Sequence, residues 1–375
     1  MRIAQVIPSL SVGGAERMAA VLALELVRLG HEVSILSLFD PVGSWIEAEL
    51  RAAGVRLTFL GKRPGLDVRM IPRLARVLAT FKPDIVHTHL HTLKYVLPAL
   101  VGRRKCAVVH TVHNLAEHEI ERSGQLFQHA AFRLGVAPVA IGEAVAASIQ
   151  RVYGLPACAI IPNGIPVAMY RSDAGVRAKV RLDLSLPEAC PVFLAVGRLN
   201  EQKDHAALID AFGDARVRRM GARLLIAGDG ELRGALERKV EELDLSDSVR
   251  FLGVRNDVPQ LLAAADAIVL SSRWEGNPLV VMEAMAAGRP VVATAVGCVP
   301  ELVPAGAGVL VPPGDAAAFA DAIFDLSRDL DAARRMGAAA AIFANERFDV
   351  AGMASAYSTL FASIVGAARA DGAAC

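Results

Sequence analysis

The sequence predicts an α/β protein of two domains, each built on a doubly wound parallel sheet. Three observations carry this. The 375-residue chain is too long for one ordinary core and suits two domains of roughly 150–200 residues. Short β-rich runs alternate with helical stretches along almost its whole length. The alternation then starts afresh after the Pro-rich segment "IIPNGIPVAMYRSD". Hydrophobic residues make up 54% and charged residues 21%, a composition that suits a packed globular chain rather than a disordered one.

The first forty residues set the pattern. "RIAQVI" reads as a strand, "PSLSVGGAE" as a glycine turn, "RMAAVLALELVRLG" as an amphipathic helix closed by Gly30, and "HEVSILSL" as a second strand. Such a βαβ unit implies a parallel pair with a right-handed crossover. Further strands are expected at Val55–Phe59, Ile85–His87, Ala107–His110, Val136–Ile141 and Cys158–Ile161. The second series is "PVFLAVG", "ARLLIAG", "SVRFLG", "AIVLS", "PVVAT" and "GVLVP". Residues 1–166 and 167–375 are therefore expected as two Rossmann-like domains. Helices from Asp315 onward close the second, and the last helix is left open to cross back to the first. Ligands of open parallel sheets bind outside the carboxyl ends of the strands. Two such sheets facing each other would share one site in the cleft between the domains.

Net charge is +1, which gives no argument for a nucleic-acid partner. The halves differ, with 18 Lys+Arg against 12 Asp+Glu in residues 1–170 and 22 against 27 in residues 171–375. Eight basic residues lie between Arg51 and Lys82 with only Asp67 opposing them, and Arg103, Arg104 and Lys105 follow. They form either a solvated helix face or a surface that meets anionic lipid or a lipid phosphate. The five scattered cysteines, without CxxC spacing, argue for reduced thiols and a cytoplasmic location. No secretory signal is expected, because Pro8 and a Gly-rich turn interrupt the first apolar run. The uncharged stretch Val152–Tyr170 carries three prolines and two glycines and is not a spanning helix. Any membrane contact is therefore expected to be peripheral.

Two acids stand out in "SSRWEGNPLVVMEAMAAGRPVVA", Glu275 and Glu283, within otherwise apolar sequence. Asn277-Pro278 signals a helix start, with Asn277 as N-cap and Pro278 at the first helical position. The amides of Leu279 and Val280 would then lie in the first turn, a natural anion site. A phosphate there would have one acid on each side, each able to accept from hydroxyl groups. The alternative leaves Glu275 solvated in a loop and Glu283 exposed on a helix. "AVGRLNEQKD" adds Arg198 and Lys203 after a strand, two cations that could neutralise a diphosphate as a bond to it breaks, or two surface charges in a loop. Gly13 and Gly14 follow the first strand and form either a tight turn or a close backbone approach to a ligand. His87, His89, His91, His110 and His113 cluster at expected strand ends. No carboxylate or cysteine pattern accompanies them, so no metal site is expected. One that faces a ligand could donate to a sugar hydroxyl or carry positive charge near a phosphate.

Together "GGAER", "DIVHTHLH", "HTVHN", "IPNGI", "VGRLNEQKD", "IAGDGELR", "VRFLGVRNDV" and "EGNPLVVMEAMAAGRPVVAT" resemble retaining glycosyltransferase family 4, over almost the whole chain and in the family's order. The resemblance implies the GT-B fold, two facing Rossmann-like domains with an inter-domain cleft. It also implies a nucleotide-diphosphate sugar as donor substrate and neither metal nor cofactor. Glu275 would hold the donor sugar's hydroxyls, Glu283 the ribose, and Arg198 and Lys203 the departing diphosphate. Gly14, beside Gly13, would approach the phosphates and His113 would contact the donor sugar. The base would lie near Val254 and Arg255. Many relatives have glycine at Pro278, so phosphate contacts would rest on Leu279 and Val280, with Asn277 either capping or touching the ligand. A saccharide or lipid-linked saccharide acceptor, in exopolysaccharide, lipopolysaccharide or capsule synthesis at the inner face of the plasma membrane, fits the basic first domain. A nucleotide-sugar epimerase of the same fold and a non-catalytic nucleotide-sugar-binding subunit are the alternatives. A pyridoxal phosphorylase would be far longer, and a dehydrogenase would need a GxGxxG that neither domain offers.

Overall fold

The computed structural model describes every residue except 103–105, 156, 172–173, 188 and 374–375. The run Arg103, Arg104 and Lys105 thus lies outside the described residues. The chain divides into two compact units, Met1–Ile165 with Val350–Cys375, and Pro166–Asp349.

The first unit carries seven strands: β1 (Arg2–Ile7), β2 (Glu32–Ser37), β3 (Arg56–Phe59), β4 (Ile85–His89), β5 (Ala107–Val112), β6 (Ala137–Ala140) and β7 (Ala159–Ile160). Their order is β3-β2-β1-β4-β5-β6-β7, and every pairing is parallel. Side chains alternate across a strand, so β1 feeds both faces. Ile3 and Ile7 join Met18, Leu22 and Leu26 of the helix Gly14–Arg28 on one face. Ala4 and Val6 join Leu74, Leu78 and Phe81 of the helix Met70–Phe81 on the other.

The second unit has six strands, β8 (Val192–Val196), β9 (Arg223–Ala227), β10 (Val249–Gly253), β11 (Ala267–Leu270), β12 (Val291–Thr294) and β13 (Gly308–Val311). They run parallel in the order β10-β9-β8-β11-β12-β13. Each sheet reverses its strand order once, between β1 and β4 in the first unit and between β8 and β11 in the second. At such switch points neighbouring loops diverge and leave a crevice.

The helix Val350–Ala373 belongs with the first unit, although the chain reaches it only after finishing the second. Met353, Ala354, Tyr357 and Phe361 are core residues of the first unit. The Val350 amide donates to the Ile165 carbonyl at 3.2 Å, and the Tyr357 hydroxyl lies 2.8 Å from Thr111 Oγ1 on β5. Val350–Ala368 is long and apolar enough to cross a membrane by length and composition, a feature the sequence reading passed over. Its large apolar side chains are spent on the core of the first unit.

Phe361→Ala is expected to destabilise the first unit by about 3–5 kcal/mol in urea unfolding. Thr359→Ala, on the exposed side of the same helix, should stay within about 0.5 kcal/mol.

Candidate active site

At the switch point of the second sheet, the loop after β8 is stitched to the loop after β11. Ser271 Oγ donates to the carbonyls of Lys203 and Asp204 at 2.8 and 3.0 Å. The Arg273 amide donates to the Gln202 carbonyl at 2.8 Å, and Gln202 Nε2 to the Trp274 carbonyl at 3.0 Å. Arg273 also pairs with Glu201 and Asp204, both at 3.0 Å. These bonds hold Lys203 Nζ 2.5 Å from Glu275 Oε1. Ser272 Oγ donates to the same oxygen at 2.6 Å. Both bonds fall on Oε1, so Glu275 Oε2 remains able to accept from a hydroxyl. Lys203 keeps two further N–H donors for an anion.

The solvated alternatives for the two acids do not hold. Glu275 is 5% exposed and Glu283 1% exposed, the latter on a helix, Leu279–Ala286, whose eight residues are all buried. The helix start is a correction. Pro278, in extended conformation, occupies the N-cap rather than the first helical position, and Asn277 lies outside the helix. The Val281 amide already bonds the Pro278 carbonyl, so the first-turn amides remaining are those of Leu279 and Val280.

The two cations do not converge. Lys203 turns to Glu275, whereas Arg198 is 74% exposed at its side chain and lies 3.9 Å from Glu231. Arg255 is engaged by Asp257 at 2.8 and 2.6 Å, and Val254 is exposed beside it, both following the edge strand β10. Sequence reasoning missed Gly297. With φ +53, it comes so close to the Glu275 loop that a Cβ there would stand 1.8 Å from the Glu275 carbonyl oxygen. The Cys298 amide completes this approach by donating to the Gly276 carbonyl at 3.0 Å. Gly228, at φ +144, makes a similar approach to the Gly197 carbonyl. Glycine after a parallel strand was the signal for both.

In the first unit, Gly13 is the extended N-cap of the helix Gly14–Arg28, so the helix begins three residues earlier than "RMAAV" suggested. Gly13 needs no unusual dihedral, and a Cβ there would meet only the carboxylate end of the Glu16 side chain, Oε2 at 2.3 Å, which can turn aside. Gly14 has open space around its missing Cβ, which leaves its backbone approachable. Burial raises the pKa of the Glu16 carboxyl.

Four of the five clustered histidines form a network in which His87, His89 and His110 are buried and His113 half-buried, while His91 is exposed outside it. His89 Nε2 lies 3.1 Å from Gln5 Oε1, and His89 Nδ1 lies 3.0 Å from His113 Nε2. His87 Nε2 meets Thr111 Oγ1 at 2.7 Å, and His110 bridges Thr88 Oγ1 and Gln128 Nε2 at 2.9 and 3.0 Å. Burial holds His87 and His89 far below the ordinary imidazole range and pushes His110 and His113 down to about 3. These four rings are therefore neutral near pH 7, and His113 carries no charge for a phosphate. Glu119 Oε1 accepts from the His113 amide at 3.0 Å, and burial pushes its carboxyl up to about 8. Among the described residues no group of three or more His, Cys, Asp or Glu side chains is arranged to hold a metal ion.

Two doubly wound parallel-sheet units in one chain are the fold of the GT-B glycosyltransferases. The fold superposes on the crystal structure of Anabaena HepE in complex with UDP and glucose with a TM-score of 0.83, covering 97% of this chain and 100% of that one at 24% identity. Residues 12–168 match the model for Glycosyltransferase Family 4, and residues 190–329 match that for Glycosyl transferases group 1. The D-inositol 3-phosphate glycosyltransferase of Nocardia farcinica is 31% identical over 365 residues, 84% of this chain and 77% of that protein. The N-acetyl-alpha-D-glucosaminyl L-malate synthase of Bacillus anthracis is 26% identical over 370 residues, 95% of each. The chain belongs to glycosyltransferase family 4.

Lys203→Met leaves Glu275 buried without its cation and is expected to cost about 3–5 kcal/mol in chemical denaturation. Adding Glu275→Gln should restore most of that stability without restoring turnover. Arg198→Ala, at an exposed position, should stay within about 0.5 kcal/mol of the parent stability. Its turnover of a nucleotide sugar should nonetheless fall by roughly ten- to a thousandfold.

Two opposed pH effects follow from the first unit. Its four neutral histidines have folded pKa values below the unfolded ~6.5. Their stabilising contribution is complete above that pH and is lost as pH falls, by up to about 1.4 kcal/mol per unit for each. Glu119 acts oppositely, because its folded pKa of about 8 exceeds the ordinary 4.5. Stability is lost as pH rises between those values. Glu119→Gln should flatten the loss between pH 5 and 8 in urea titrations, and an unchanged slope would contradict the assignment.

Proposed function

We propose that the chain transfers a hexosyl or N-acetylhexosaminyl group from a nucleoside-diphosphate sugar to a saccharide or lipid-linked saccharide, with retention of configuration and without a metal. The observation that carries this reading is the Lys203–Glu275 pair at the switch point beside the helix that begins at Leu279. A diphosphate at the Leu279 and Val280 amides would find Lys203 at hand. Glu275 Oε2 would accept from a sugar hydroxyl, and Glu283 would receive the ribose. Arg198, free to turn from its exposed partner, would close on the diphosphate as charge develops. Gly13 and Gly14 would approach the phosphates through their backbone and His113 would meet the donor sugar. Val254 and Arg255 would border the base.

In the reaction, the bond from the anomeric carbon to the diphosphate oxygen breaks through an oxocarbenium-like state. The acceptor oxygen bonds to that carbon on the same face. Its proton passes to the leaving diphosphate, so no protein nucleophile is required. Lys203 and Arg198 stabilise the charge left on the diphosphate.

The acceptor is proposed to be anionic. Two of the curated relatives name an inositol phosphate and malate, both anions. Apart from the acceptor, the first unit carries a basic loop held by its own hydrogen bonds. Lys62 Nζ donates to the carbonyls of Arg63 and Gly65 at 2.9 and 2.6 Å, and Asp67 receives the amides of Arg63 and Arg69. These bonds present Leu66 and Val68 to solvent at 74% and 63% exposure. Arg63 is exposed on the same loop, and Arg73 and Arg76 line a neighbouring cavity of about 450 Å³. We read this face as a contact with the anionic inner leaflet of a cytoplasmic membrane.

UDP, GDP and ADP and their sugars should be compared by thermal shift. A tenfold excess over Kd stabilises the fold by about 1.4 kcal/mol. No response to any of them would refute donor binding, and slow hydrolysis of the stabilising sugar nucleotide separates an enzyme from a non-catalytic binder. Sedimentation with phosphatidylglycerol vesicles at low salt, lost at high salt and in Leu66→Ser/Val68→Ser, is expected for the membrane face. Indifference to vesicles would remove it.

A further inference from the structure

We propose that Gln5 and His89 are positioning residues that hold His113 with its proton on Nε2, leaving Nδ1 as a bare acceptor for a hydroxyl of the donor sugar. The proposal rests on the reading of His113 as a donor-sugar contact and deepens it.

Gln5 on β1 and His89 on β4 are both fully buried, and they meet across the switch point of the first sheet. Two neutral imidazoles can share a hydrogen bond only if one nitrogen carries the proton and the other does not. Burial keeps both His89 and His113 neutral, so each ring has one proton to place. The Gln5 carbonyl oxygen faces His89 Nε2 at 3.1 Å and can only accept, which puts the His89 proton on Nε2. His89 Nδ1 is then bare and must accept from His113 Nε2 at 3.0 Å. The proton of His113 is thereby fixed on Nε2. Among the described residues its Nδ1 has no hydrogen-bond partner and holds only a lone pair.

The tilted packing of the rings supports this rigidity. His87 and His89 centroids lie 4.2 Å apart, and His89 and His113 centroids 5.2 Å apart. The His113 amide is separately tied to Glu119, which fixes the backbone under the ring. A bare Nδ1 welcomes a hydroxyl and rejects a group that can only accept, such as a carboxylate. The site would accordingly favour a neutral hexose over an acidic sugar at that contact.

The proton can be read directly. In protein labelled with ¹⁵N-histidine, long-range ¹H–¹⁵N spectra identify His113 by its loss in His113→Asn. The expected state is a protonated Nε2. At least one of UDP-glucose, UDP-N-acetylglucosamine and GDP-mannose should shift Nδ1 where UDP or GDP alone does not. Gln5→Met should populate both tautomers and abolish that shift while changing UDP or GDP affinity less than twofold, and Gln5→Glu, which can still accept, should restore it. A proton on Nδ1 in the parent protein overturns the relay alone, because the reverse amide orientation of Gln5 reverses every step. An Nε2 proton with no Nδ1 response to any of the three sugar nucleotides overturns the role toward the sugar, and with it the donor-site reading of His113. Unchanged tautomer and response in Gln5→Met would also overturn the proposal. The parent spectrum decides the matter even if Gln5→Met does not fold.

Discussion

The second unit is organised around one ion pair, Lys203 with Glu275, joining two strand ends that lie side by side in the sheet but 72 residues apart in the chain. A pair this deeply placed is poor evidence of stability, because removing both charges from water costs about as much as their attraction returns. It persists here because its surroundings leave little freedom. Ser272 shares the acceptor oxygen, Asn200 Oδ1 accepts the Lys203 amide, and the backbone at Gly297 presses against the Glu275 carbonyl. The pair also leaves bonding capacity on both members. That combination, fixed positions with unused donors and acceptors, is what preorganised transition-state stabilisation asks of a site.

The first unit solves a comparable problem without charge. Its switch point is lined by imidazoles that burial keeps neutral, joined to Gln5, Thr111 and Tyr357 by hydrogen bonds. Charged groups in that position would be expensive to desolvate. Neutral rings can be packed on one another and still be aimed, and their orientation is set by which nitrogen holds the proton. The network is not fully satisfied, since among the described residues Gln5 Nε2 and His87 Nδ1 are buried without a partner.

Much of the fold was legible in the sequence, since each of the thirteen strands among the described residues follows a run that alternates or stays apolar between turn residues. The two sheets then follow from βαβ handedness. What local patterning could not supply were contacts of long range. "EGNP" announces a helix but not whether Asn277 or Pro278 caps it, because the difference lies in one residue's dihedrals. The resemblance put Lys203 and Glu275 in one site but gave each its own ligand group, whereas in the fold they hold each other. Arg198 read as the equal of Lys203 from spacing alone, yet one is exposed and the other sheltered. The burial that silences the histidines comes from β1, β4, β5 and the last helix together, and no window of sequence contains all four.

That last helix has a consequence for how the protein comes into being. Tyr357 and Phe361 complete the hydrophobic core of the first unit, but a ribosome adds them only after the whole second unit has been made. During synthesis the amino-terminal unit must wait with one face of its sheet only partly covered, by the helix Gly14–Arg28, while the second unit can already fold. A chain released before Val350 would leave the apolar residues that this helix covers open to water.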